Sequence, residues 1–270
     1  MRINIFYEHV IEAAAQRDIT VEESLRCFRE LGISGLECPD WQLTARGETK
    51  ALFESVGFKV ESVYEFFDFP HDSEKESLRK IDNCLETAAY FGADKILAIP
   101  GFNADEEQML TLCGLMNILC KRAGEYGVTV TVEDFDDKAS PCSTIAGLKY
   151  LLENVGGLKF TFDTGNFAYS LESADDAYRQ LKDKITHVHL KDRSRDISRF
   201  DGGNAKADLS GNQMYPCEVG GGYIGIGNLV KQLLRGGYSG SFSIEHFGAP
   251  DQLGYAEKSV RYLRKIEKIF

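Results

Sequence analysis

The sequence predicts an α/β protein closing into a single (β/α)8 TIM-type barrel of parallel strands over residues 1–270. Three features carry that prediction. Short β-rich segments alternate with longer helical patterns along the whole chain, the rhythm of parallel strands joined by helical crossovers. The length, 270 residues, is near the ~250 of one such barrel. No repeat, linker or low-complexity segment divides the chain.

The strand candidates are Arg2–Tyr7, Gly35–Cys38, Lys59–Glu65, Lys95–Ile99, Val128–Glu133, Lys159–Asp163, Ile185–Leu190 and Ser241–Glu245. Among the helices, Thr20–Leu31 opens on a Thr with Glu23 three residues on, the spacing of a capping box, and sets Val21, Leu25 and Phe28 on one face. Ser73–Phe91 and Glu106–Tyr126 are longer and end just before Gly92 and Gly127. Ser143–Asn154, Ala174–Lys182, Ile226–Leu234 and Gln252–Ile269 follow. A doubly wound open sheet is the competing arrangement. It usually carries a Gly-rich phosphate turn after its first strand, where this chain has Tyr7-Glu8-His9. Residues Lys191–Tyr223 read as one long irregular stretch, the kind that forms a lid or a wall.

Hydrophobic residues make up 43% and charged residues 27%, an ordinary globular composition. A formal net charge of −11 disfavours a nucleic-acid partner, which calls for a basic face. The seven Cys form no C-x-x-C pair, as expected of free thiols in a reducing compartment. No signal peptide is visible and no apolar run approaches the ~20 residues of a membrane span, so a cytoplasmic location is expected, without a membrane partner.

In a barrel the active site lies where the strands end. Val128–Val132 is closed by Glu133-Asp134, Lys159–Phe162 by Asp163, and Ser241–Ile244 by Glu245-His246. The seventh run, Thr186–Leu190, carries His187 and His189. Three carboxylates converging on one rim would repel one another, and a divalent cation removes that repulsion. Such a ligand set suits Mn²⁺, Mg²⁺, Co²⁺ or Zn²⁺ and leaves positions open for substrate oxygens. Each residue alone has an ordinary alternative, as a helix cap or a packed imidazole. Their succession on adjacent strands favours one metal site made of Glu133, Asp163, His189 and Glu245. His187 faces the same side as His189 and is expected deeper in the interior.

At these residues the chain resembles the xylose isomerase-like TIM barrel superfamily, the sugar phosphate isomerases and epimerases grouped with AP endonuclease family 2. The matching motifs are Val132-Glu133-Asp134, Asp163-Thr164-Gly165-Asn166, His187-Val188-His189-Leu190-Lys191-Asp192 and the closing run from Val219 to His246. The early Gly32-Ile33-Ser34-Gly35-Leu36-Glu37 is similar to the family's second strand. The resemblance implies that Glu133, Asp163, His189 and Glu245 hold one metal ion, and that Glu133 and Glu245 also move protons. It implies a carbohydrate substrate, passage through a metal-stabilised enediolate, and assembly as a homodimer or homotetramer.

Three positions depart from the ketose 3-epimerase pattern. Asn166 stands where many members have His, Ala139 where a second Glu is common, and the usual Arg falls on Arg195 by counting, with Arg193 close by. Asn166, Lys191, Arg193 and Arg195 are therefore expected to bind substrate. Glu37 and Glu65 end the second and third strands, and each either binds a hydroxyl or caps a loop. Trp41, Phe66, Phe67 and Phe69 are candidates for an apolar wall against a sugar face. His9 is expected at the mouth and His71 in solvent. Gly220-Gly221-Gly222 reads as a tight turn in preference to a phosphate cradle. A metal-dependent lyase or dehydratase acting on a keto-sugar or inosose is the alternative activity. A nuclease would need more His than the five present, and a non-catalytic barrel would not need the four rim residues.

Overall fold

The computed structural model describes residues 1–197 and 205–269. Seven parallel strands come first: β1 (Arg2–Phe6), β2 (Gly35–Pro39), β3 (Lys59–Phe66), β4 (Lys95–Ile99), β5 (Thr129–Glu133), β6 (Lys159–Asp163) and β7 (Ile185–Leu190). The short β8 (Asp192–Ser194), β9 (Lys206–Ala207) and β10 (Gln213–Cys217) precede β11 (Ser241–Ile244). β11 pairs with both β7 and β1, closing the barrel in the order β1-β11-β7-β6-β5-β4-β3-β2. Closure excludes the open doubly wound sheet.

Side-chain alternation explains how these strands build two environments at once. On β5, Val130 and Val132 join the core under the helices while Thr131 turns into the barrel. On β6, Phe160 and Phe162 go outward and the Thr161 hydroxyl donates to Thr131 Oγ1 at 2.8 Å inside. Val188 and Leu190 on β7, with Phe242 and Ile244 on β11, repeat the outward set. The interior is therefore lined by Thr131, Thr161, His187 and Ser243, all buried. Two residues further along each strand, the same parity delivers Glu133, Asp163, His189 and Glu245 to the rim.

Nine helices are seen among the described residues. They are α1 (Tyr7–Arg17), α2 (Val21–Glu30), α3 (Arg46–Val56), α4 (Glu74–Phe91), α5 (Glu106–Glu125), α6 (Ile145–Asn154), α7 (Ala174–Leu181), α8 (Ile226–Arg235) and α9 (Gln252–Glu267). The capping box at Thr20 and Glu23 forms, and α4 ends on Gly92 in the left-handed conformation. α1 and α3 add to the helices read from sequence, and each begins without a side-chain cap, at Phe6 and Ala45. Among the described residues no helix is long and apolar enough to cross a membrane. None of the seven Cys is in a disulfide, and five of them are buried.

The stretch Lys191–Tyr223 is more ordered than its sequence suggested. Its described part folds as a three-stranded antiparallel sheet, β8-β10-β9, standing on the end of β7. The glycine run that follows is a turn. Gly220 has φ +85°, and a Cβ there would lie 2.5 Å from the Tyr262 ring. The backbone N–H groups of Gly220, Gly222 and Ile224 donate to the Asp192 carboxylate at 2.9, 3.1 and 3.3 Å. The anion in this cradle is the protein's own side chain. Asp192→Ala leaves these N–H groups without their acceptor and is expected to lower the unfolding free energy by at least about 2 kcal/mol. Urea titration checks this, and a loss below about 0.5 kcal/mol contradicts it.

Candidate metal centre

The four rim residues meet. Single ligand atoms of Glu133, Asp163, His189 and Glu245 all lie within 4.8 Å of one another, at the ends of β5, β6, β7 and β11. Register produces this: Asp163 pairs with His189, and His189 with Ser243, two residues before Glu245. His189 Nδ1 faces Glu133 Oε2 at 2.9 Å and Glu245 Oε2 at 3.4 Å. Asp163 Oδ1 accepts the N–H groups of Gly165 and Asn166, both at 2.7 Å. Asp163 Oδ2 is buried and has no hydrogen-bond partner.

That orphaned oxygen is the test of fit for a cation. A buried carboxylate oxygen with no donor is costly, and a metal–oxygen bond is one way to satisfy it. The other donors are two carboxylates and an imidazole nitrogen, a set that suits a divalent ion. Glu37 completes the support from below. Its Oε2 lies 3.1 Å from His189 Nε2, and its Oε1 lies 2.6 Å from His187 Nε2, which also reaches Ser243 Oγ at 3.1 Å. A carboxylate behind an imidazole fixes the ring and leaves Nδ1 to face the centre.

The protein's own charges partly compensate the crowding. Burial disfavours the charged form of Glu245, but Lys191 Nζ at 2.5 Å and His189 outweigh it and hold the carboxyl far below the usual range. Burial opposes charge on His189 too, and Glu37, Glu133 and Glu245 overcome it, raising the imidazole well above its ordinary value. Burial pushes Glu133 up, and burial with Glu245 nearby pushes Asp163 up strongly. Asp134, buried beside them, is driven up by burial and by Asp163.

The cluster opens on a cavity of about 550 Å³, the size of a small-molecule site. Its wall includes Glu133 and Glu245 with the expected Trp41, Asn166, Lys191 and Arg193. Asn166 donates from Nδ2 to the Asp134 carbonyl at 2.8 Å, leaving its buried Oδ1 without a partner. Trp41 meets Tyr64 edge to face at 5.5 Å between centroids.

Other expected residues sit elsewhere. Glu37 is fully buried under His189, out of reach of a sugar hydroxyl. Glu65 has the outward parity of Val63 and lies beside Asp40, where burial and that carboxylate push it up to about 7. Its neighbour Tyr64 takes the cavity position and donates its hydroxyl to Glu8. Arg195 turns away to Asp208 Oδ2 at 2.8 Å and stacks on Tyr223. Phe67 and Phe69 are core residues, and Phe66 packs on Phe102 outside the cavity wall. His9 is not at the mouth. It is buried, and its Nε2 accepts the His246 backbone N–H at 2.9 Å. His71 is exposed beside Asp68.

Sequence reading missed Tyr64, Glu8, Asp136 and Lys206, which also line the cavity. Tyr64 was accessible from strand parity, two residues after inward Ser62. Asp136 and Lys206 arrive from a loop and a short edge strand, for which no periodic signal exists.

The closed barrel and its rim cluster define a class of protein, and the sequence places the chain within it. Residues 25–266 match the xylose isomerase-like TIM barrel model, and the chain belongs to that family. Among similar solved structures is a probable 3-DHS dehydratase from Bacillus anthracis, with a TM-score of 0.76 and 16% identity, covering 98% of this chain and 99% of that one. A 3-keto-D-glucoside 4-epimerase from E. coli has a TM-score of 0.72 and 19% identity, covering 98% and 99%. A D-allulose 3-epimerase from Methylomonas sp. has a TM-score of 0.75 and 12% identity, covering 98% of each chain. At these identities the likeness is one of fold. A search of curated proteins found no match to the sequence.

Burial makes His9 a proton-linked element of stability. Its folded pKa is pushed down to about 3 from 6.5. Between those values the unfolded chain holds more protons, so the His9 contribution is lost as pH falls below 6.5. His9→Gln keeps an acceptor for the His246 N–H and removes the titration. The stability of the native protein relative to this variant is expected to fall by about 2 kcal/mol between about pH 7 and about pH 5. Denaturant titrations at the two pH values check this, and a difference that does not change with pH contradicts it.

Proposed function

We propose that this protein is a divalent-metal-dependent isomerase or epimerase of a small carbohydrate, free, phosphorylated or cyclic. The observation that carries the reading is the pair of carboxylates, Glu133 and Glu245, at the floor of the cavity on either side of His189 Nδ1, with Asp163 Oδ2 unpartnered beside them. Glu133, Asp163, His189 and Glu245 would hold the ion. When bound, it supplies a Lewis acid for adjacent carbonyl and hydroxyl oxygens and acidifies the intervening C–H.

The proton transfers belong to the chain. Lys191 Nζ lies 2.5 Å from Glu245 and, with His189, favours its ionised form, as suits a base, and Glu133 stands across the His189 ring as the second carboxylate of the pair. One carboxylate removes the carbon-bound proton and the other returns a proton from its own side. Glu37 holds the His189 ring in place, and Trp41 with Tyr64 offers an aromatic wall for the sugar face.

A lyase on a keto-sugar is the second reading. Lys191 at 2.5 Å from Glu245 supports it, because an ammonium at the base is placed to assist a departing oxygen. A nuclease finds no such support: His189 alone of the five His belongs to the rim cluster, and the net charge is −11. A cytoplasmic setting fits seven Cys of which none is in a disulfide.

Glu245→Gln is expected to keep the fold and lower turnover by about 10²-fold or more. The assay is deuterium uptake at carbon across ketoses, inososes and their phosphates with Mn²⁺, Co²⁺ or Mg²⁺. Near-native exchange in the variant rejects its role, and loss of substrate to an unsaturated product selects the lyase.

A further inference from the structure

We propose that one wall of the cavity is a subsite for an oxyanionic substituent of the substrate, a phosphate ester or a carboxylate, built from Arg193 and Lys206. The inference rests on reading the cavity as the substrate site and adds which end of the substrate lies where.

Arg193 is a cation whose side chain is only 6% exposed. Its Nη2 reaches Asp136 Oδ2 at 3.0 Å, but its Nε is buried with no hydrogen-bond partner. A guanidinium presents its donors in a planar fork matched to two oxygens of a carboxylate or phosphate, so one buried arm without an acceptor is an unmade contact. Lys206 Nζ approaches the other oxygen, Asp136 Oδ1, at 2.8 Å and lies over the Tyr169 ring at 5.2 Å. Among the described residues, Arg193 and Lys206 thus share the one Asp136 carboxylate. Asp136 itself is held low: burial would raise it, and Lys191, Arg193 and Lys206 outweigh that.

The placement is a product of the fold. Arg193 pairs with Pro216 and Lys206 with Met214, so β10 clamps β8 and β9 together and brings both cations to one wall. Around the closed barrel, β5, β6 and β7 face β1, β2 and β3. The cationic wall stands over the first group. Glu8, Trp41 and Tyr64, which follow or end the second group, form the facing wall, where an aromatic ring and a carboxylate suit hydroxyl-bearing carbon. A substrate with an anionic head and a polyol tail is oriented across the centre by this polarity.

Calorimetric titration of the full chain, freed of metal by chelation, tests the subsite without a contribution from the ion. The probes are fructose 6-phosphate, gluconate and fructose. At least one anion is expected to bind about tenfold or more tightly than fructose, and which one separates phosphate from carboxylate. Arg193→Met is expected to weaken that anion about tenfold without altering fructose binding. Asp136→Asn, which releases both cations, is expected to tighten it, a direction that mere disruption of packing does not give. Equal affinity for anion and fructose, no anion binding, or an Asp136→Asn variant that binds anions no better than the native protein overturns the subsite. Deuterium exchange with metal restored reads the proposed function separately. Exchange without anion preference removes the subsite alone, and anion binding without exchange on any substrate removes the isomerase reading alone.

Discussion

Ionised groups crowded out of water must be paired, and the upper half of this barrel is organised by that requirement. Glu133, Asp163 and Glu245 project to one rim beside His189. Lys191 lies against Glu245, the buried Glu37 lies behind His189, and two backbone N–H groups hold one oxygen of Asp163. What these contacts leave is a buried oxygen without a donor and an imidazole nitrogen turned toward carboxylates. A dication would answer both, and the proposed chemistry rests on that match.

Much of this was legible because strand period and rim chemistry are the same pattern. The Thr-Val-Thr-Val-Glu of β5 and the Lys-Phe-Thr-Phe-Asp of β6 alternate core and lumen residue by residue, so the polar residue closing each run inherits the lumen side. The same logic misplaced Glu65, since the last polar residue of β3 has the outward parity; the register shift between Leu36 and Glu37, where β2 pairs with β3, shows how strand parity is reset locally. α1 was hidden because it starts directly from β1 with no capping side chain or turn residue. His9, expected at the mouth, was misread with it, since it lies in the first turn of this helix on the face turned into the protein. Arg195 and Arg193 could not be separated by counting, because only the folding of β8 against β10 decides which one faces the cavity.

The antiparallel insert between β7 and β11 gives this barrel its individual character. Asp192 binds the glycine turn at its base, and Arg193, the next residue, reaches the cavity. The residues proposed to hold the metal come from the ends of the barrel strands, whereas the cations proposed to face the substrate come from this appended sheet or just before it. In the proposed reading, chemistry and selectivity are carried by separate parts of the chain, which suits one barrel to several related reactions.

The claim on which the rest depends is that four strand ends share one divalent ion. Calorimetric titration of the chelator-treated protein with Mn²⁺ measures it directly. One ion per chain is predicted, with binding lost in Asp163→Ala while the circular dichroism of the fold is unchanged. Absence of saturable binding to the native protein, or full binding by the variant, contradicts the account.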